Sequence, residues 1–104
     1  MASLVRAKRN PPIHPGEILR DVFSDAGLSA SAAALSMSVP ANRLTAIMLG
    51  RRAITADTAL RLARFFDTSA QMWMNLKSNY ELDRAEYESA KRIAREVRPL
   101  GKAS

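Results

Sequence analysis

The stretch from Ser29 to Gly50 reads SASAAALSMSVPANRLTAIMLG. Ser29 suits the cap of a helix N-terminus, because its hydroxyl can accept from a backbone N–H of the first turn. Ala32, Ala33, Ala34 and Leu35 carry a short helix onward, and their small side chains let a neighbour pack closely. Met37-Ser38-Val39-Pro40 breaks that pattern. Proline lacks the N–H that a helix interior needs, yet its fixed φ suits the opening of the next helix. From Ala41 to Leu49 the apolar Leu44, Ile47 and Met48 share one side, and Gly50 ends the run. Two short helices joined by a tight turn make a helix-turn-helix arrangement. The second helix of such a pair is shaped to enter a major groove with its first residues facing base edges.

Upstream, a helix is predicted from Pro15, with Ile18, Leu19, Val22 and Phe23 as its apolar stripe and Gly27 as its stop. Downstream, Thr55 caps a fourth helix with Asp57 in its first turn, where a carboxylate suits the positive end of the helix dipole. Leu60, Ala63 and Phe66 recur there at helical spacing, flanked by Leu62. Asp67-Thr68-Ser69 breaks the run, and Ser69 caps a fifth helix. From Ala70 to Arg98 there is neither glycine nor proline. Trp73, Leu76 and Tyr80 follow at steps of three and four, as in a coiled-coil seam, which serves either a dimer contact or the chain's own core. Past Asp83 charged residues dominate. Glu88 is placed to pair with Arg92, while Lys91 and Arg95 repel at the same spacing. No strand alternation or internal repeat interrupts this order, so the predicted fold class is all-α, a five-helix bundle. Three segments are expected: a basic N-terminal arm over 1–12, a folded domain over 13–86, and a charged helical extension over 87–104.

Composition narrows the function. With 104 residues, 47% hydrophobic and 25% charged, the chain suits one domain. No run nears the ~20 apolar residues of a membrane span, and the start, short and basic, does not read as a signal peptide. Cysteine is absent and His14 is the single histidine, which removes thiolate chemistry and most zinc sites. No metal and no cofactor is expected. Sixteen Lys and Arg against ten Asp and Glu leave a net charge of +6, which points to a polyanionic partner. The excess is uneven: residues 26 to 56 contain no acid, and Arg43, Arg51 and Arg52 lie inside that window. A surface without carboxylates is what a phosphate backbone requires.

Pro40, Ala41, Asn42, Arg43, Thr45 and Ala46 are therefore the candidate groove residues. Asparagine can pair with an adenine edge and arginine with a guanine edge, and Ala46 can touch a thymine methyl. Asn42 could instead cap its own helix, and Arg43 could instead bridge to Asp57. Arg51 and Arg52, beyond the helix, are placed for phosphates. An enzymatic reading rests on His14 and on a Glu17–Asp21 pair at i, i+4. Nothing else converges on them, and a capping or packing role suits His14 better.

Several linked blocks resemble HigA-type antitoxins. They are His14-Pro15-Gly16-Glu17-Ile18-Leu19, Val39-Pro40-Ala41-Asn42-Arg43-Leu44, Gly50-Arg51-Arg52-Ala53-Ile54-Thr55-Ala56-Asp57-Thr58-Ala59-Leu60-Arg61-Leu62-Ala63-Arg64, and Thr68-Ser69-Ala70 with Trp73, Asn75-Leu76 and Tyr80-Glu81-Leu82. The resemblance spans about residues 13 to 86. It implies five packed helices of the phage-repressor type, a homodimer, and a palindromic operator in the protein's own promoter. It further implies a cytoplasmic protein that holds inactive a small basic ribosome-dependent mRNA endonuclease toxin. On exposure alone, the arm and first helix are the candidate surface for that toxin. The alternative is a free-standing transcription regulator without a toxin. Three positions depart from the pattern. Ala30 stands where a phosphate-clamping glutamine is usual, leaving that contact to Ser29 or Ser31. Ser38 stands where the turn often has glycine, which predicts some strain. Ala46 stands where many relatives carry a polar residue. Trp73, Leu76 and Tyr80 are the expected dimer anchors.

Overall fold

Five helices follow one another in the computed structural model, which describes residues 11–100. They are α1 (Pro15–Ala26), α2 (Ala30–Met37), α3 (Ala41–Met48), α4 (Ala56–Phe66) and α5 (Ala70–Glu96). No strand occurs among the described residues, in keeping with the all-α expectation. The basic arm lies, up to Asn10, outside the described residues.

The boundaries follow the capping chemistry. His14 Nδ1 accepts from the Gly16 N–H at 2.9 Å, so this histidine is the N-cap of α1. Ser29 accepts from Ala32 N, Thr55 from Thr58 N, and Ser69 from Met72 N, each satisfying an orphan donor of its helix. Gly27, Ser38 and Asp67 end α1, α2 and α4 in the left-handed conformation. Pro99 lies just past the end of α5, as expected of a residue that cannot extend a helix.

Residues Ile13–Tyr80 form one compact unit. Its centre is made of fully buried Leu19, Leu44, Ile47, Ile54, Leu62 and Trp73, joined by Phe23, Ala33, Ala34 and Met37. α3 packs on both α1 and α2, and α2 also packs on α4. Residues 81–100 belong to a second unit.

One stripe differs from the sequence expectation. On α4 the buried residues are Thr58, Ala59 and Leu62, whereas Leu60 is 63% exposed. Both sets fit a 3.6-residue period, so the period alone does not choose between them. On α2 the buried residues are Ala33, Ala34 and Met37, and Leu35 faces solvent. On the exposed part of α5, Glu88 accepts from Arg84 at 3.1 Å, while Arg92 pairs with Glu96. Glu88 has an arginine four residues away on either side, and its carboxylate pairs with Arg84.

Candidate nucleic-acid interface

The turn between α2 and α3 is built from backbone. Val39 N–H donates to the Ala34 carbonyl at 3.0 Å and Ser38 N–H to that of Leu35 at 3.3 Å. This is the closing pattern of a helix whose next residue is left-handed. That residue is Ser38, at φ 57° and ψ 46°, so the strain expected of a serine in a glycine-type position is present. Val39 then inserts into the core.

α3 begins at Pro40, which caps it without any side-chain hydrogen bond. Leu44 and Ile47 are fully buried beneath it. Pro40, Ala41, Asn42 and Thr45 are exposed, and Ala46 is half-buried. No side-chain hydrogen bond caps α3, and Asn42 is exposed in its first turn. The Thr45 hydroxyl donates back to the carbonyls of Ala41 and Asn42 at 3.4 and 3.3 Å. Arg51 and Arg52 are exposed in the following loop and make no ion pair with any described residue. Ser31 is exposed at the start of α2, whereas the Ser29 hydroxyl is occupied as a cap.

Arg43 departs from the expectation of a base reader. Its Nη1 donates to Asp57 Oδ2 at 2.8 Å, and its side chain is only 24% exposed. Its Nε is buried without a partner. The ion-pair alternative is thus the one the structure contains. The physical reason is proximity. Asp57, in the first turn of α4, is the first acid after the carboxylate-free window, and Arg43 is the basic residue of α3 within its reach. The same Asp57 oxygen accepts from Arg61 Nε at 2.9 Å. Arg61 Nη1 in turn donates to the carbonyls of Met37 at 2.9 Å and Ser38 at 3.4 Å. One carboxylate therefore links α3, α4 and the turn. The Arg61 hydrogen bond, followed by that of Arg43, holds the Asp57 carboxyl below the usual carboxylate range.

The other end of α3 is held by residues that sequence reasoning missed. Gly16 lies against the Ile47 backbone so closely that an added methyl would overlap the Ile47 carbonyl and sit 3.0 Å from Met48 Cα. Arg20 Nη2 donates to the Met48 carbonyl at 3.1 Å, filling one of the acceptors a helix C-terminus leaves open. A glycine in the first turn of a helix, where propensity disfavours it, was the available signal. His14, Glu17 and Asp21 line one shallow recess of about 200 Å³ with Met48, Leu49 and Gly50. There His14 serves as a cap and contacts Tyr80 edge-on at 4.8 Å.

The expected dimer anchors lie within the chain's own unit. Trp73 is 2% exposed, with its Nε1 donating to Thr68 Oγ1 at 2.9 Å and its ring beside Phe66. Leu76 packs against the core, and Tyr80 rests on His14. A seam of this spacing needs covering, but spacing does not say whether the cover is the same chain or another. Here Phe66 and Thr68 cover Trp73, which has no surface left to offer a second copy, while Leu76 and Tyr80 are half-buried.

No known family profile matches the chain. Individual proteins do. An addiction module antidote protein of the HigA family from Coxiella burnetii superimposes with a TM-score of 0.81 at 47% identity, covering 88% of this chain and all of that one. This chain belongs to the HigA family. The Pseudomonas aeruginosa antitoxin HigA, solved with the higBA promoter, matches this HigA-family chain at 47% identity and a TM-score of 0.83, over 86% of this chain and 99% of that one. Virulence-associated protein I of Dichelobacter nodosus is 49% identical over 77 residues, which is 73% of this HigA-family chain and 71% of the relative.

Proposed function

We propose that this chain is a DNA-binding antitoxin that represses its own operon and neutralises a toxin encoded beside it. Two copies set α3 of each into successive major grooves of a palindromic operator, about 34–36 Å apart. The observation that carries this reading is the outward face of α3. It is fixed to the core by Leu44 and Ile47, presents Asn42, and continues into exposed Arg51 and Arg52, with no carboxylate between Ala26 and Ala56. The promoter bound by the Pseudomonas aeruginosa relative supports it. Asn42 reads a base edge, with Pro40, Ala41, Thr45 and Ala46 against the groove. Arg51, Arg52 and Ser31 meet phosphates, and Arg43 is withdrawn from the set of base readers.

Gel-shift titrations on the duplex upstream of the gene, at several salt concentrations, test the DNA half. Asn42→Ala should lose about 1–3 kcal/mol on the operator and little on random DNA. Arg52→Ala should weaken both alike and shallow the salt slope by about one unit. Equal losses of Asn42→Ala on both duplexes would remove its role. Co-expression tests the other half. An adjacent gene product that is toxic alone and harmless beside this chain establishes the antitoxin. Operator binding without such a neighbour leaves a free-standing regulator.

A further inference from the structure

We propose that Asp57 is a specificity-setting positioning residue that withholds Arg43 from the nucleic-acid face, so that discrimination rests on the side chains left exposed on α3. The inference deepens the DNA-binding reading above and rests on it. Three observations carry it. First, Arg43 stands at the third position of the recognition helix, yet its guanidinium is drawn back to Asp57 Oδ2 at 2.8 Å and mostly covered. Second, holding it there is unfavourable in one respect, because Arg43 Nε is buried with no acceptor. A buried donor left unmade costs free energy, and the charge-assisted bond to Asp57 is what offsets it. Third, the partners of Asp57 are not equally dependent on it. Arg61 also grips the Met37 and Ser38 carbonyls, so the turn keeps a clamp when the carboxylate is lost. For Arg43, Asp57 is the acceptor that keeps it back.

Removing the charge of Asp57 should therefore release one guanidinium beside a surface already free of acids. A mobile cation on a long stem meets any phosphate, and phosphate contacts carry no sequence information. Asp57 thus suppresses indiscriminate binding.

The test compares the wild type, Asp57→Asn, Arg43→Gln and the double variant, each first shown to melt cooperatively. The probes are a duplex selected by the wild type from a randomised library and a scrambled duplex of the same composition. Asp57→Asn should bind the scrambled duplex roughly eightfold tighter at 0.1 M salt, with a salt slope steeper by about 0.9, the value of one added phosphate contact. The preference for the selected duplex should fall accordingly. Arg43→Gln alone should leave the scrambled affinity within about twofold and the slope unchanged, because the tied arginine contributes no phosphate contact. The double variant should lose the gain of Asp57→Asn. A shallower slope in Arg43→Gln would place that arginine on phosphate already and overturn the proposal, even if Asp57→Asn failed to fold. Asp57→Asn that folds and binds the scrambled duplex no tighter than the wild type would overturn it too. A wild type that prefers no selected duplex at all would bring down the DNA-binding reading itself, and this inference with it.

Discussion

α3 and the part of α5 beyond Tyr80 are held in opposite ways. α3 has eight residues, fewer than the roughly 12–15 at which an isolated helix becomes even marginal in water. Its stability comes from outside: Leu44 and Ile47 in the core, Gly16 and Arg20 at its C-terminal end, and the Arg43–Asp57 pair near its start. The described residues 81–96 contain no fully buried side chain, and the Arg84–Glu88 and Arg92–Glu96 pairs join residues four apart on the same helix. The lesson is that a helix can be short where its surroundings dictate its direction, and that damage to those surroundings should act on it strongly. Charged residues on the long helix should be individually dispensable.

The largest effect expected is that of Trp73→Ala, about 3–5 kcal/mol of unfolding free energy, because it empties a fully enclosed site beside Phe66 and Thr68. Urea denaturation measures it, and sedimentation run alongside separates loss of fold from loss of pairing. A stable chain that merely becomes monomeric would return Trp73 to an interface. Gly16→Ala comes next, at about 1–3 kcal/mol, since α1 must retreat from the Ile47 carbonyl or α3 must shift. If α3 shifts, operator binding falls further than stability does, which calorimetry and gel shift together resolve. Thr55→Ala should cost about 1 kcal/mol through the lost cap on Thr58 N, read as a lowered thermal midpoint. Arg92→Ala should cost no more than about 0.5 kcal/mol, as expected for an exposed pair of this spacing. A loss above 1 kcal/mol there would break the contrast between the two helices.

Acid supplies a finer probe of the same contrast. The Asp57 carboxyl is depressed by Arg61 and Arg43, so its stabilisation is present above the ordinary carboxylate range. It is lost as pH falls below about 4. Acid titration of the melting midpoint should therefore show a small drop in that window, reduced in Asp57→Asn. The change is small because the Asp57 carboxylate is exposed and solvent screens it.

Much of the candidate interface was legible in residue order. Pro40, Gly50 and the apolar step Leu44–Ile47 define a short helix after a tight turn, and the absence of acids from Ala26 to Ala56 marks the face that can approach phosphate. Ser29, Thr55 and Ser69 announce their helices because a cap needs only local chemistry. Arg43 was ambiguous for a good reason: a basic residue on a groove-facing helix and a basic residue within reach of a carboxylate look the same in sequence. The stripe on α4 failed similarly, since Leu60 and Leu62 fit one period equally well.

Local rules, acting over three or four residues, were enough to determine the helices, their caps, the turn and the sign of the exposed face. Which apolar residues are covered, where Arg43 points, and why Gly16 admits no side chain depend on elements distant in the chain meeting in space. Trp73 belongs to the core because Phe66 and Thr68 close over it, and Arg43 is withdrawn because α4 brings Asp57 to it. Those outcomes are set by packing density and by the distance between charges, and neither quantity exists until the chain has folded.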